Sequence, residues 1–221
     1  MKRRKQEPSH VGHVAIHEAA HAIVAAYLKV PFRHVTLRRF TRTDGGHLLM
    51  EGLRGIRLYV SDRRGAYRQR SKKEVKAIVN RKYADRAVVI LAARAAVEAG
   101  GFVSADGRPI STSKFKAGYR YDEERLKVIA RTLRVAEFTA WRRQMLKRAR
   151  DIVSIPHISR SILWVAVILE HELTMHEMKL GNGLVSAQKV REALRGGREL
   201  SAACSGGVVR RNSDQHRRPA P

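Results

Sequence analysis

The stretch that decides the reading of this chain is Ala15-Ile16-His17-Glu18-Ala19-Ala20-His21-Ala22-Ile23-Val24-Ala25-Ala26. It lies in a segment, His10 to Leu28, that is rich in Ala, Ile and Val and has no Gly or Pro after Gly12. Ser9 behind Pro8 supplies an N-cap and Pro31 stops the run, so the pattern predicts a helix over 10–28. Two histidines and a glutamate inside so apolar a helix are expensive to bury unless something uses them.

The spacing says what that use is. His17 and His21 are four apart, hence one turn apart on the same helix face. Two imidazoles so placed can both reach one zinc ion, at Zn–N distances of about 2.0–2.1 Å. Glu18 sits one step round the helix and can touch a metal-bound water without being a ligand. Zinc brings the pKa of such a water to about 7, and a neighbouring carboxylate can then take its proton. This is the logic of the H-E-x-x-H motif of zinc proteases. His13 extends the stripe to a third turn, but its Cα would lie about 12 Å along the axis from that of His21, too far for easy convergence on one ion.

A catalytic zinc needs a third protein ligand and an open position. Periodicity leaves that ligand open among Glu98, Asp122, Glu123, His157, His171 and His176. His171-Glu172-Leu173-Thr174-Met175-His176 imitates the first motif, but its histidines are five apart, which turns the second about 140° from the first. With Glu170 beside it, it reads as a solvated face.

Outward from this helix, Val35-Thr36-Leu37 is β-prone, Thr43-Asp44-Gly45-Gly46 reads as a turn, and His47-Leu48-Leu49-Met50 as the returning strand. Arg57-Leu58-Tyr59-Val60 is a further candidate strand. Helices are predicted over 71–99, 122–153 and 158–180, with Gly100-Gly101 closing the first and Pro156 ending the second. Gly181-Asn182-Gly183 is a turn, and Ser186 caps a short helix ending near Arg195. The expected organisation is a basic arm over 1–9, one domain over 10–195 and a disordered basic tail over 196–221. The fold class expected is mainly α, formally α+β, with a small sheet after the first helix.

Composition narrows the classes. The chain has 221 residues, enough for one substantial domain. The single cysteine, Cys204, excludes a disulfide framework within these residues and cysteine-based zinc fingers. No secretory signal is expected, because Met1-Lys2-Arg3-Arg4-Lys5 is followed by Gln6-Glu7-Pro8-Ser9-His10 rather than by an apolar run. The longest purely apolar stretch, Ile162 to Leu169, is shorter than the about 20 residues that span a bilayer. The expectation is a cytoplasmic protein without a membrane span.

At this point the chain resembles a family. His17-Glu18-Ala19-Ala20-His21-Ala22, then Val35-Thr36-Leu37 and Gly46, are similar to the start of the FtsH-type zinc peptidase domain. Leu91-Ala92-Ala93-Arg94-Ala95-Ala96-Val97-Glu98 and Gly118-Tyr119-Arg120-Tyr121-Asp122 resemble its later segments, over roughly residues 10–195. The resemblance implies a helical, zincin-like peptidase domain. It implies His17, His21 and Asp122 as zinc ligands and Glu18 as general base. Ala20, Ala92-Ala93, Lys116 and Ala117 depart from the family pattern. That family couples this domain to an ATPase and often forms homo-oligomers, yet no P-loop occurs in these residues. The implied activity is therefore ATP-independent cleavage of flexible or unfolded protein segments.

The net charge is +25. Between Arg33 and Lys73 there are 12 basic residues against three acidic ones, Asp44, Glu51 and Asp62. A basic strand edge would favour acidic peptide substrates. The alternative is a nucleic-acid-binding protein on a peptidase-like scaffold, with Tyr59 and Tyr67 available for stacking and the zinc structural or vestigial.

Overall fold

The computed structural model describes residues 11–39, 44–50, 59–61, 67–99, 116–178 and 183–206. The arm over 1–9 and most of the tail lie outside these residues.

The first helix, α1 (Val11–Tyr27), is the centre of the molecule. Every residue from Ala15 to Ala25 is buried. Its alanines keep it thin, so neighbours pack on all sides. Helices α2 (Lys72–Glu98) and α5 (Pro156–Glu177) flank it most closely, and α6 (Ala187–Gly206) and the sheet complete the enclosure. Ile23 of α1 and Ile158, Ile162 and Leu169 of α5 are among the fully buried side chains, each worth about 1.5–3 kcal/mol of burial.

The sheet is built on β1 (Phe32–Arg39), which pairs antiparallel with β2 (Asp44–Met50) and with β5 (Leu184–Ser186), giving the order β2-β1-β5. Val35 faces Leu48 on one side and Val185 on the other. The Thr36 hydroxyl donates to the Gly183 carbonyl at 2.9 Å. Gly183 has a φ of 65°, and a Cβ there would crowd the His176 ring at 3.2 Å. A two-stranded ribbon, β3 (Tyr59–Ser61) and β4 (Tyr67–Gln69), precedes α2.

Helix α2 starts with a full capping box. Ser71 accepts from the Glu74 backbone at 3.2 Å, and Glu74 accepts from the Ser71 backbone at 2.8 Å. Helices α3 (Lys116–Leu133) and α4 (Phe138–Val153) then pack on α2. Arg148 holds the buried Asp85 at 2.7 Å and Arg150 holds Glu98 at 2.6 Å, tying α4 to α2.

Four expectations need correction. The helix predicted over 122–153 is two helices, α3 and α4. Arg134 takes a φ of 54°, and the Arg134 and Val135 amides donate to the Arg131 and Ala130 carbonyls, both at 3.0 Å. That is a Schellman stop. It is written without glycine, so composition conceals it. The same motif ends α1, with Lys29 at φ 57°. The third helix begins at Lys116, so Asp122 stands in its second turn rather than at its start.

The last helix runs past Arg195 to Gly206, so the first part of the expected tail is ordered. Gly196 and Gly197 do not terminate it, because their task is close packing. A Cβ on Gly197 would overlap Ser161 Oγ and stand 2.9 Å from the His157 carbonyl. Finally, Asp44-Gly45-Gly46 belongs to β2, paired with Arg39, Arg38 and Leu37, and the reversal itself lies outside the described residues. Strands β4 and β5 were not anticipated, being three residues each. The predicted cap does form: Ser186 Oγ accepts from the Lys189 amide at 3.3 Å.

Candidate metal centre

His17 and His21 project from the middle of α1 toward α3, where Asp122 meets them. The Nε2 atoms of the two histidines are 3.1 Å apart. Asp122 Oδ2 lies 3.3 Å from His17 Nε2 and 3.4 Å from His21 Nε2. Three electron-pair donors thus form a nearly equilateral triangle. Tetrahedral zinc with nitrogen and oxygen ligands at about 2.0–2.1 Å requires ligand separations of about 3.3–3.4 Å. The triangle fits one such ion and leaves a fourth position open. Asp122 Oδ2 is also buried and without a hydrogen bond, as expected of an atom meant for a cation.

The second layer orients the first. His21 donates its Nδ1–H to the Val89 carbonyl of α2 at 2.7 Å. That bond fixes the tautomer and leaves the Nε2 lone pair facing Asp122. The Tyr119 ring, one helical turn before Asp122, lies tilted against His17 with ring centroids 5.9 Å apart. Burial, then the nearby Glu98 carboxylate, push the Tyr119 hydroxyl up to about 12, so it remains protonated.

Glu18 is 4% exposed, and its Oε1 stands 3.9 Å from His17 Nε2. Its Oε2 is buried without a hydrogen-bond partner. Burial pushes its carboxyl above the usual glutamate value, against the pull of His21 and His17. Burial would lower His21, but Asp122, Glu18 and the Val89 carbonyl outweigh it and raise the imidazole to about 9. Burial likewise opposes ionisation of Asp122, and the two imidazoles reverse that, holding it well below the usual carboxylate range. Without a cation, this cluster holds its charges together only by binding protons.

Of the six residues considered as third ligand, Asp122 joins the cluster. Among the described residues, His17, His21 and Asp122 are the one such trio, with ligand atoms within 4.8 Å of one another. Glu98 instead bonds Arg94 and Arg150, both at 2.6 Å, and Glu123 accepts from Arg142 at 3.0 Å. His157 begins α5, and His171 and His176 are exposed near its other end. His13 lies in α1 with its side chain outside the described residues. The Val89 carbonyl and Tyr119 were missed. A backbone acceptor has no sequence signature, and Tyr119 becomes visible only if α3 is started before Asp122.

Set beside family profiles, characterised proteins and solved structures, the chain matches none of them. Within its basic stretch from Arg33 to Lys73, residues 40–43, 51–58 and 62–66 lie outside the described residues, as do the side chains of Tyr59 and Tyr67. No single described helix is long and apolar enough to cross a membrane.

Proposed function

We propose that this chain is a zinc metalloendopeptidase with a zincin-like site, related in plan to the FtsH-type peptidase domain and acting without an ATPase of its own. The observation that carries the reading is the triangle of His17, His21 and Asp122 with the buried carboxylate of Glu18 beside it. Zinc held there would polarise a scissile carbonyl and acidify a water. The chain's own contribution is positional. His21 is aimed by Val89, and Asp122 supplies the negative charge that favours a divalent cation.

Glu18 lies within reach of the open side of the triangle and is not a ligand. Its raised proton affinity suits a residue that accepts a proton from water and returns it to the leaving amine. Peptide segments that are already flexible are the expected substrates, and the +25 net charge favours acidic ones.

The test is elemental analysis of the purified chain together with cleavage of a chemically unfolded acidic protein. The expected result is about one zinc per chain. Glu18→Gln should keep that zinc and lose roughly 10²–10⁴ in rate. A chain that takes up no zinc, or a Glu18→Gln variant that cleaves normally, would overturn the reading.

A further inference from the structure

Among the described residues, the outer side of α5 carries three of the six exposed large apolar side chains, next to one another. Arg160 lies three and four residues before Leu163 and Trp164, and Val167 four and three after them, which sets all four in one stripe. Leu163 is 43% exposed, Trp164 48% and Val167 63%. Single exposed apolar residues are ordinary, but three adjoining ones are a patch that needs an occupant.

Helix α6 runs antiparallel beside this stripe. Lys189 meets Glu172 at 3.2 Å, while the Ala193 carbonyl accepts from Ser161 further along, also at 3.2 Å. A Cβ on Gly196 would stand 3.3 Å from the Trp164 ring. The indole therefore rests on the seam between the two helices, with its other side open. Arg195 and Arg198 are exposed on α6, three residues apart and hence on one face. Gly197 sits against the His157 carbonyl, so the adjacent Arg198 and Arg160, one turn beyond His157, lie at the same end of the seam.

We propose that this α5–α6 face docks on an anionic lipid bilayer. Leu163, Trp164 and Val167 enter the boundary between headgroups and acyl chains, and Arg160, Arg195 and Arg198 meet the lipid phosphates. Charge selects this occupant. A second copy of the chain would bring +25 against +25. A nucleic acid would satisfy the guanidiniums but offer nothing to Leu163 and Val167. An anionic bilayer satisfies both halves of the face, and tryptophan favours that interface. The opposite side of α5, with Ile158, Ile162, Val165 and Leu169, is buried in the core, so the proposed association is peripheral. This proposal stands apart from the peptidase reading.

The chain has two tryptophans, so Trp141→Phe leaves Trp164 as the sole reporter. Phosphatidylserine-containing vesicles should shift its emission to the blue, and pure phosphatidylcholine vesicles should not. In cosedimentation, Leu163→Ser with Val167→Ser should weaken binding at least about tenfold. Arg160→Gln, Arg195→Gln and Arg198→Gln together should weaken it on the order of a hundredfold. These side chains are exposed, so circular dichroism and zinc content should not change. The unmodified chain and its Leu163→Ser, Val167→Ser variant decide the matter by cosedimentation even without the Trp141 change. The proposal is overturned by absence of vesicle binding, or by binding that survives the Ser substitutions. A Trp164 response to an oligonucleotide or an acidic peptide but not to vesicles overturns it equally.

Discussion

The Nδ1–H of His21 points at the Val89 carbonyl oxygen, 2.7 Å away on another helix. A main-chain atom of α2 thereby decides which nitrogen of His21 faces the other two donors. In zinc-loaded protein, two-bond ¹H–¹⁵N spectra should show His21 as the Nδ1–H tautomer with Nε2 as ligand. Asp122→Ala should abolish stoichiometric zinc uptake. Glu123→Gln, one residue away but paired with Arg142, should leave it intact. Equal loss in both variants would mean that α3 as a whole, rather than Asp122, supports the metal.

Gly197 lets α6 approach α5. Gly197→Ala forces a Cβ onto Ser161 Oγ and toward the His157 carbonyl. Overpacking of this kind costs about 1–3 kcal/mol, readable as a lower denaturation midpoint. Ser161→Ala in the same chain should recover part of that loss, since it removes the nearer obstacle. A neutral Gly197→Ala would show that the two helices separate freely.

Lys29 and Arg134 occupy left-handed backbone at helix ends, with φ values of 57° and 54°. A side chain there costs about 1–2 kcal/mol, part of which glycine regains at the expense of a floppier unfolded chain. Lys29→Gly and Arg134→Gly should each stabilise the fold by about 0.5–1 kcal/mol in urea titration. Destabilisation by either one would mean that its side chain makes a contact worth more than the strain.

Glu98 carries a pH dependence. Its burial would raise its pKa, but the bonds from Arg150 and Arg94 reverse this and hold it below the usual glutamate value. A depressed folded pKa stabilises the fold above the unfolded pKa. That contribution is lost as pH falls through the folded value. Glu98→Gln should therefore cost stability at pH 7, by about 1 kcal/mol or less because the pair is partly exposed. The gap between variant and parent should close in acid, below the ordinary glutamate pKa. A gap of constant size down to low pH would point to packing instead.

The pairing of His17 with His21 and the place of Glu18 beside them were legible in the residues, because i, i+4 spacing on a helix is a local matter: all three are arranged by α1 itself. The main-helix class and the cap at Ser186 were legible for the same reason. The two Schellman stops were not, since Lys29 and Arg134 stand where glycine would have announced them. Gly196 and Gly197 misled in the opposite sense, looking like a terminus while serving close packing.

What the chain determines by itself is a helix carrying two imidazoles and a carboxylate in register. Among the six candidates for the third position Asp122 was singled out only by resemblance, and only the tertiary structure decides that it completes the trio. Its distance from His21 depends on how α3 packs on α2 and how α2 packs on α1, contacts between residues far apart in sequence. The tautomer of His21 depends on that packing too, because its partner is a backbone oxygen that every residue possesses.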